Sequence, residues 1–248
     1  MVQQPQPEAR LGGFVANPGS SVVHFGPCCW RVELPMPYFR LALIAIVGWA
    51  AFHFLIAPPA GVMETSISAE HPFSVERPLP RLETEPQQVD LDDRDRRYPA
   101  QGTDYLFSPQ ATFELRARVL STRNYRLGME SRVSPRDLAL GWGPMAQDEV
   151  LADIRISQSG RWYSWRARSL PIPQADINRH ISNMHMIAGN EDALRALKRV
   201  RQDDEITLRG HLVNVSDGSG GRWRTSTNRT DTGAGACEIV LIDELIIH

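Results

Sequence analysis

From Leu41 to Ala57 the chain runs through 17 uncharged and almost wholly apolar residues (LALIAIVGWAAFHFLIA), bounded by Arg40 and by Pro58-Pro59. A helix of that length spans about 25 Å, the short end of what the hydrocarbon core of a bilayer requires. The segment is apolar all round rather than striped, so it lacks the polar face of a surface helix. Tyr38 and Phe39 flank one end and Phe52 and Phe54 the other, as aromatics do at membrane interfaces. The pattern predicts one transmembrane anchor over residues 39–57. The apolar run exceeds the roughly 7–15 residues of a signal-peptide core, and Leu55, Ala57 and the two prolines make a poor cleavage site, so the anchor is expected to stay attached.

After the anchor the hydropathy pattern changes twice. Residues 58–103 hold Pro58, Pro59, Pro72, Pro78, Pro80, Pro86 and Pro99 among many charges and few aromatics, which predicts an extended Pro-rich linker. Within it the run Asp90 to Arg97 (DLDDRDRR) mixes both signs and is expected to be solvated. Residues 104–248 are patterned as one soluble domain of ordinary size.

In that domain Phe113, Leu115, Ala117 and Val119 alternate with Glu114, Arg116 and Arg118, a half-buried strand. Ser134-Pro135-Arg136-Asp137 has the order of a helix start, with Leu138, Leu140 and Trp142 following. A short helix is expected from Gln147, then strands at 154–156 and 161–168 and a short one at 184–187. Asn190 is placed to cap a helix running to Arg201. Glu205 to Val215 alternates again, Ser216 to Gly221 (SDGSGG) makes a hairpin connection into 222–227, and Cys237 to Ile247 forms an apolar last strand. The predicted class is α+β and β-rich: a small, partly open barrel resembling an OB-fold, preceded by one transmembrane helix. A generic sheet with helices on one face fits the same order almost as well.

The charges add orientation and exclude little else. Arg31 and Arg40 precede the anchor, whereas Glu64, Glu70, Glu76 and Arg77 follow it, so the positive-inside rule places the C-terminal domain outside the cytoplasm. Residues 1–38 are Pro/Gly/Gln-rich without periodicity, and are expected to be disordered. Met36-Pro-Tyr-Phe-Arg reads as a short basic region directly before the anchor, so translation starting at Met36 would give a conventional signal-anchor. A formal net charge of −2 argues against a protein dominated by nucleic-acid electrostatics. Lys198 is the only lysine, the mark of a GC-rich, bacterial genome. Three cysteines build no disulfide framework.

Several candidate sites can be weighed. Asp231-Thr232-Gly233 is the triplet of aspartic proteases, but those enzymes need paired carboxylates. Cys237 with His185 and Asp231 would supply a thiol, a base and an orienter, yet a strand continuing into Ile239-Val240-Leu241 implies a buried thiol. His180 and His185 are five apart, off helical register, and no metal or other cofactor is expected from them. Arg155 to Arg168 (RISQSGRWYSWRAR) interleaves arginines with Trp162, Tyr163 and Trp165, the composition that grips single strands or planar anions. Alternation sends Tyr163 and Trp165 to one face, and Trp162 and Arg166 to the other. Arg161, Trp162, Trp165, Arg166, Trp223 and Arg224 are therefore the candidate ligand-binding residues.

Four stretches, Asp137 to Met145 (DLALGWGPM), Ile156 to Trp165 (ISQSGRWYSW), Ser182 to Ile187 (SNMHMI) and Asp231 to Glu238 (DTGAGACE), resemble a family of short, membrane-anchored proteobacterial proteins with no known activity. The resemblance spans residues 105–245 and the anchor. It implies a bacterial source and one domain behind an anchor, and implies no mechanism. The segment before Met36 departs from the short N-termini of that family.

The expectation from sequence is a single-pass inner-membrane protein whose domain, on the periplasmic side, is a binding or assembly module rather than an enzyme, with an envelope protein as partner. The alternative is a barrel that binds a ligand or single-stranded nucleic acid through the Arg/Trp surface, nucleic acid being disfavoured outside the cytoplasm. A hydrolase using Cys237 or Asp231 is more distant.

Overall fold

The computed structural model describes residues 44–45, 61–73, 78–126, 129–228 and 237–248. Of the anchor expected at 39–57, only Ile44 and Ala45 are among them, and both are helical. The rest of that segment and all of 1–38 lie outside the described residues. Among the described residues no helix is long and apolar enough to cross a membrane.

The remainder is a β-rich α+β fold. Its elements in chain order are α1 (Ile67–Glu70), β1 (Gln87–Asp90), β2 (Tyr98–Pro99), β3 (Leu106–Asn124), α2 (Met129–Val133), β4 (Arg136–Gly141), a 3-10 turn (Gly143–Ala146) and α3 (Asp148–Leu151). The hairpin β5 (Ile154–Ser159) and β6 (Trp162–Ala167) comes next, followed by α4 (Gln174–Arg179) and β7 (Ile181–Ala188). The chain then forms α5 (Glu191–Arg199), β8 (Glu205–Ser216), β9 (Arg222–Trp223) and β10 (Glu238–Ile247).

The pairing of the long strands returns on itself. β3 pairs antiparallel with β4, β4 with β7, β7 runs parallel to β10, β10 pairs antiparallel with β8, and β8 pairs antiparallel with β3. The sheet is thus partly closed, as in a barrel, and the circuit leaves β1, β2 and β9 as short flanking additions. Alternation fills its interior with Phe113, Leu115, Leu138, Leu140, Met184, Met186, Leu208, Leu212, Val240 and Ile242. Ala193, Leu194 and Leu197 of α5 join the same cluster. That helix starts where the sequence places it, with the Asn190 carboxamide oxygen accepting from the Ala193 N–H at 2.8 Å.

Two covers bury the outside of the barrel. On one side the β5–β6 hairpin lays Ile154, Ile156, Tyr163 and Trp165 against Leu120, Ala139 and Ile181. On the other, a strap of residues 61–73 places Met63 and Ile67 on Ile187, Val213, Ile239 and Leu241, with Tyr98 and Phe107 in the same cluster. The strap is fastened by backbone bonds from Met63 N–H to Ala188 O at 2.8 Å and from Gln101 N–H to Glu64 O at 2.9 Å. Within residues 58–103, expected as an extended linker, the strap 61–73, Tyr98 and Ala100 are therefore packed on the barrel, while most of 78–97 is exposed or half-buried. The sequence pattern was misleading because the apolar residues that pack here, Met63, Ile67 and Tyr98, are isolated in a charged stretch, while Leu79 and Val89 stay exposed.

A second correction concerns residues 134–142. The expected helix start is instead β4, in which Leu138 and Leu140 point inward while Asp137 and Ala139 point outward. The cap signal sits one step beyond a real helix: the Ser134 N–H bonds Glu130 O and closes α2. Leu138, Leu140 and Trp142 at spacings of two are a strand pattern, and burial of both faces outweighs the local helix signal.

Side chains clasp the strap to the turn that follows β1. His71 Nε2 lies 3.2 Å from Asp93 Oδ2 and 3.3 Å from the Tyr98 hydroxyl. That hydroxyl is 3.0 Å from Asp93 Oδ2 and 3.2 Å from Glu70 Oε2, and Arg96 pairs with Glu70 while stacking 4.8 Å from the Tyr98 ring centroid. Burial and the two carboxylates push the Tyr98 hydroxyl up to about 12. For Asp93, burial works in the opposite sense, but the Tyr98 hydroxyl and the charge of His71 outweigh it and hold the carboxyl below its ordinary range.

The folded state thus prefers a neutral Tyr98. Its contribution is complete below the unfolded tyrosine value of about 10 and is lost as pH rises toward about 12. Urea unfolding followed across that window should show stability falling with pH, with a shallower fall in Tyr98→Phe. An unchanged alkaline slope in the variant would contradict the arrangement.

Candidate functional site

The β5–β6 hairpin turns through Gly160 and Arg161, both at positive φ (57° and 71°), the backbone of a two-residue type I′ turn. Glycine adopts that conformation freely, whereas arginine is strained there. Arg161 is held by its surroundings. Its N–H donates to the Tyr125 hydroxyl at 3.0 Å, its Nη1 lies 2.8 Å from Asp137 Oδ1, and its Nη2 donates to Ser134 O at 2.8 Å. The guanidinium also stacks 4.1 Å from the Tyr125 ring centroid and 5.4 Å from that of Trp223.

Asp137 is fully buried on the outer face of β4, and its register partner on β7 is His185. His185 Nδ1 sits 2.9 Å from Asp137 Oδ1, off the hydrogen-bonding direction. Asn183, two residues earlier on the same face, donates to Asp137 Oδ2 at 3.4 Å and to Arg161 O at 3.1 Å, and its Oδ1 accepts from Gln158 at 2.6 Å. Trp223 covers His185 with ring centroids 4.7 Å apart. Cys237 is half-buried, its Sγ 4.0 Å from Arg161 O. This group joins hairpin, barrel and β9 into one unit. Its charged members are enclosed and committed to one another, which makes it a scaffold.

The six candidate ligand-binding residues consequently do not form one surface. Arg161 and Trp223 meet in the enclosed cluster just described. Trp165 faces inward, its Nε1 donating to Asn178 Oδ1 at 3.0 Å. Trp162, 46% exposed, and Arg166 lie on the outer face of the hairpin, as alternation predicts, with Arg166 directly opposite Arg155. Arg224 stands with Arg222 at a different place, described next. His180 sits with Nδ1 2.7 Å from Asp176 O and Nε2 3.3 Å from Glu85 Oε1, far in role from His185. Asp231 lies outside the described residues.

A polar mouth opens where β3 and β8 run on past the apolar core. Alternation along β8 puts Asn214 and Ser216 on the same face as Leu208 and Leu212, and Ser108 of β3 pairs with Asn214. These side chains and Gln110 floor a cavity of about 450 Å³. Arg94 and Arg97 rise on one side, Arg222, Trp223 and Arg224 on another, with Asp95 as the one carboxylate in the lining. Arg94 pairs with Asp90 at 2.5 Å, but among the described residues no carboxylate lies within ion-pair reach of Arg97, Arg222 or Arg224. The turn bearing Arg94 and Arg97 is fixed to β3 by Leu91 N–H to Gln110 O at 3.0 Å and by Gln110 Nε2 to Arg94 O at 3.1 Å. On the β9 side Thr225 N–H donates to Asn214 Oδ1 at 3.0 Å.

The volume falls in the usual range of small-ligand sites, and barrel mouths are common places for them. Guanidinium groups gathered around a polar cavity favour carboxylate, phosphate or sulfate groups, which they can bind bidentately. Sequence reading reached Trp223 and Arg224 but missed Arg94 and Arg97, because a run of mixed charge has the same signature in a linker and in a site rim. No family model, curated protein or solved structure matches the chain.

Removing the counter-charge of the enclosed cluster should be costly. Asp137→Ala leaves Arg161, only 14% exposed at its side chain, without its closest carboxylate. A loss of about 3–5 kcal/mol in urea unfolding is expected. A loss below 1 kcal/mol would show the ion pair to be incidental.

Proposed function

We propose that this chain is a single-pass, membrane-anchored binding module, held outside the cytoplasm, that takes an anionic ligand at the mouth of its barrel. The observation that carries this reading is the convergence of Arg94, Arg97, Arg222 and Arg224 from two separate segments around one cavity. The hydropathy of 39–57, the arginines before it and the resemblance to membrane-anchored proteobacterial proteins support the anchor and its orientation. The order of the barrel strands, with one helix between the third and the fourth and a parallel pairing of the third with the fifth, supports the OB-like reading. A binding role fits better than catalysis, because Asp137 and His185 are enclosed beneath Arg161 and Trp223. An envelope protein bearing an acidic or phosphorylated group would be a suitable partner.

Single-stranded nucleic acid is the second reading, favoured by the OB-like strand order and the arginines. Against it, Trp223, the one aromatic among the described residues of the mouth, is already engaged with His185 and Arg161, so it offers no open stacking platform of the kind that binds bases.

Calorimetric titration of the full chain in detergent with inorganic pyrophosphate, at about 50 mM salt, tests the site. Binding should weaken as salt rises, and Arg222→Ala/Arg224→Ala should lose at least about tenfold in affinity. No binding by the wild type at low salt would reject the anion site. A reporter fused to the C-terminus that works only in the cytoplasm would reject the orientation.

A further inference from the structure

The turn at 91–97 has two sides with different partners. Arg94 and Arg97 face the mouth, while Asp93 and Arg96 face the strap. We infer that Glu70, His71 and Tyr98 are positioning residues for the anion site, so that docking of the strap and occupancy of the mouth are coupled. This rests on the reading of the mouth as an anion site.

The geometry gives the coupling a short physical route. Arg94 follows Asp93 directly, and Asp93 Oδ2 is held by both His71 Nε2 (3.2 Å) and the Tyr98 hydroxyl (3.0 Å). Arg97 lies between Arg96, which is paired with Glu70 and stacked on the Tyr98 ring, and Tyr98 itself. Tyr98 is 2% exposed, and its backbone pairs with Phe107 of β3, so the clasp is rooted in the barrel wall. The mouth-side attachments, Leu91 to Gln110 and Gln110 to Arg94, hold only the first half of the turn. The second half, which carries Arg97, is tied to the wall at Tyr98 through the β2–β3 pairing, and its side-chain contacts, from Asp93, Arg96 and Tyr98, go to the strap.

An arginine held in place before the ligand arrives binds more tightly than one that must be ordered on binding. Loosening the clasp therefore raises the ordering cost at Arg94 and Arg97 and leaves Arg222 and Arg224 unaffected. By reciprocity, an anion that fixes Arg94 and Arg97 also favours the docked strap.

Pyrophosphate titration of the full chain tests this with a double-mutant cycle. Tyr98→Phe keeps the ring and removes the hydroxyl contacts with Asp93, Glu70 and His71. Glu70→Ala, near the surface, serves as a second variant that leaves the core intact. Each should weaken pyrophosphate binding by about five- to tenfold, the low end of ordinary coupling. The loss should persist in an Arg222→Ala background and vanish in an Arg94→Ala/Arg97→Ala background. Pyrophosphate should also slow amide exchange in residues 66–73 of the wild type. If the wild type binds but the clasp variants bind equally well, or lose affinity equally in both backgrounds, the coupling is wrong and the anion site stands. If the wild type does not bind, the anion site and the coupling fall together.

Discussion

β3 and β8 run antiparallel from Leu106 opposite Ser216 to Arg118 opposite Glu205, and this one ladder carries most of the architecture. Its lower part, where Leu115 faces Leu208, forms a wall of the apolar interior. Its upper part, where Ser108 faces Asn214, extends past that interior and turns the same face polar. A bulge between Pro109 and Ala111 marks the change, re-aiming the strand where a register shift is needed. The core and the mouth are thus two stretches of one strand pair.

The outer faces of the circuit are handled in two ways. Apolar positions such as Ile239 and Leu241 are covered by the strap, which removes them from water at roughly 25 cal/mol per Å² of apolar area. Polar positions are paired: Asp137 with Arg161 beneath the hairpin, Glu114 with Arg209 at 2.9 Å, and His211 Nδ1 at 2.9 Å from Asp243 beside the strap. Buried pairs contribute little net stability against apolar replacements but strongly penalise wrong placements. They add directional contacts where the hairpin and the strap meet the barrel, beside the apolar ones.

Alternation made most of the barrel legible in the sequence. Phe113 to Val119, Glu205 to Val215 and the run ending at Ile247 each bury one face and expose or cover the other. Asn190 announced its helix through a cap that the structure contains. The failures have a common origin. At Asp137 a buried carboxylate satisfied by Arg161, 24 residues later in the chain, looked like the third position of a helix. At Met63, Ile67 and Tyr98, single apolar residues in a charged and proline-rich stretch looked like a linker. At Arg94 and Arg97 a site rim looked like a solvated run. In each case the decisive partner is distant in sequence, and local pattern carries no information about it. The Arg161–Trp223 pairing was half legible: the residue types were right, but their commitment to Asp137 and His185 was not visible.

The position of β10 sets the order in which this fold can be completed. It is the last of the described strands in sequence order, yet it lies between β7 and β8 and supplies Ile239 and Leu241 to the surface under the strap. The strap, more than 100 residues upstream, leaves the ribosome early and has no finished seat until that final strand inserts. Its contacts are of the non-local kind that delay folding, since loop closure must come before they reward it. During that interval the apolar edges of β7 and β8 stand open to one another and to other chains, and the nascent domain depends on quick arrival of β10.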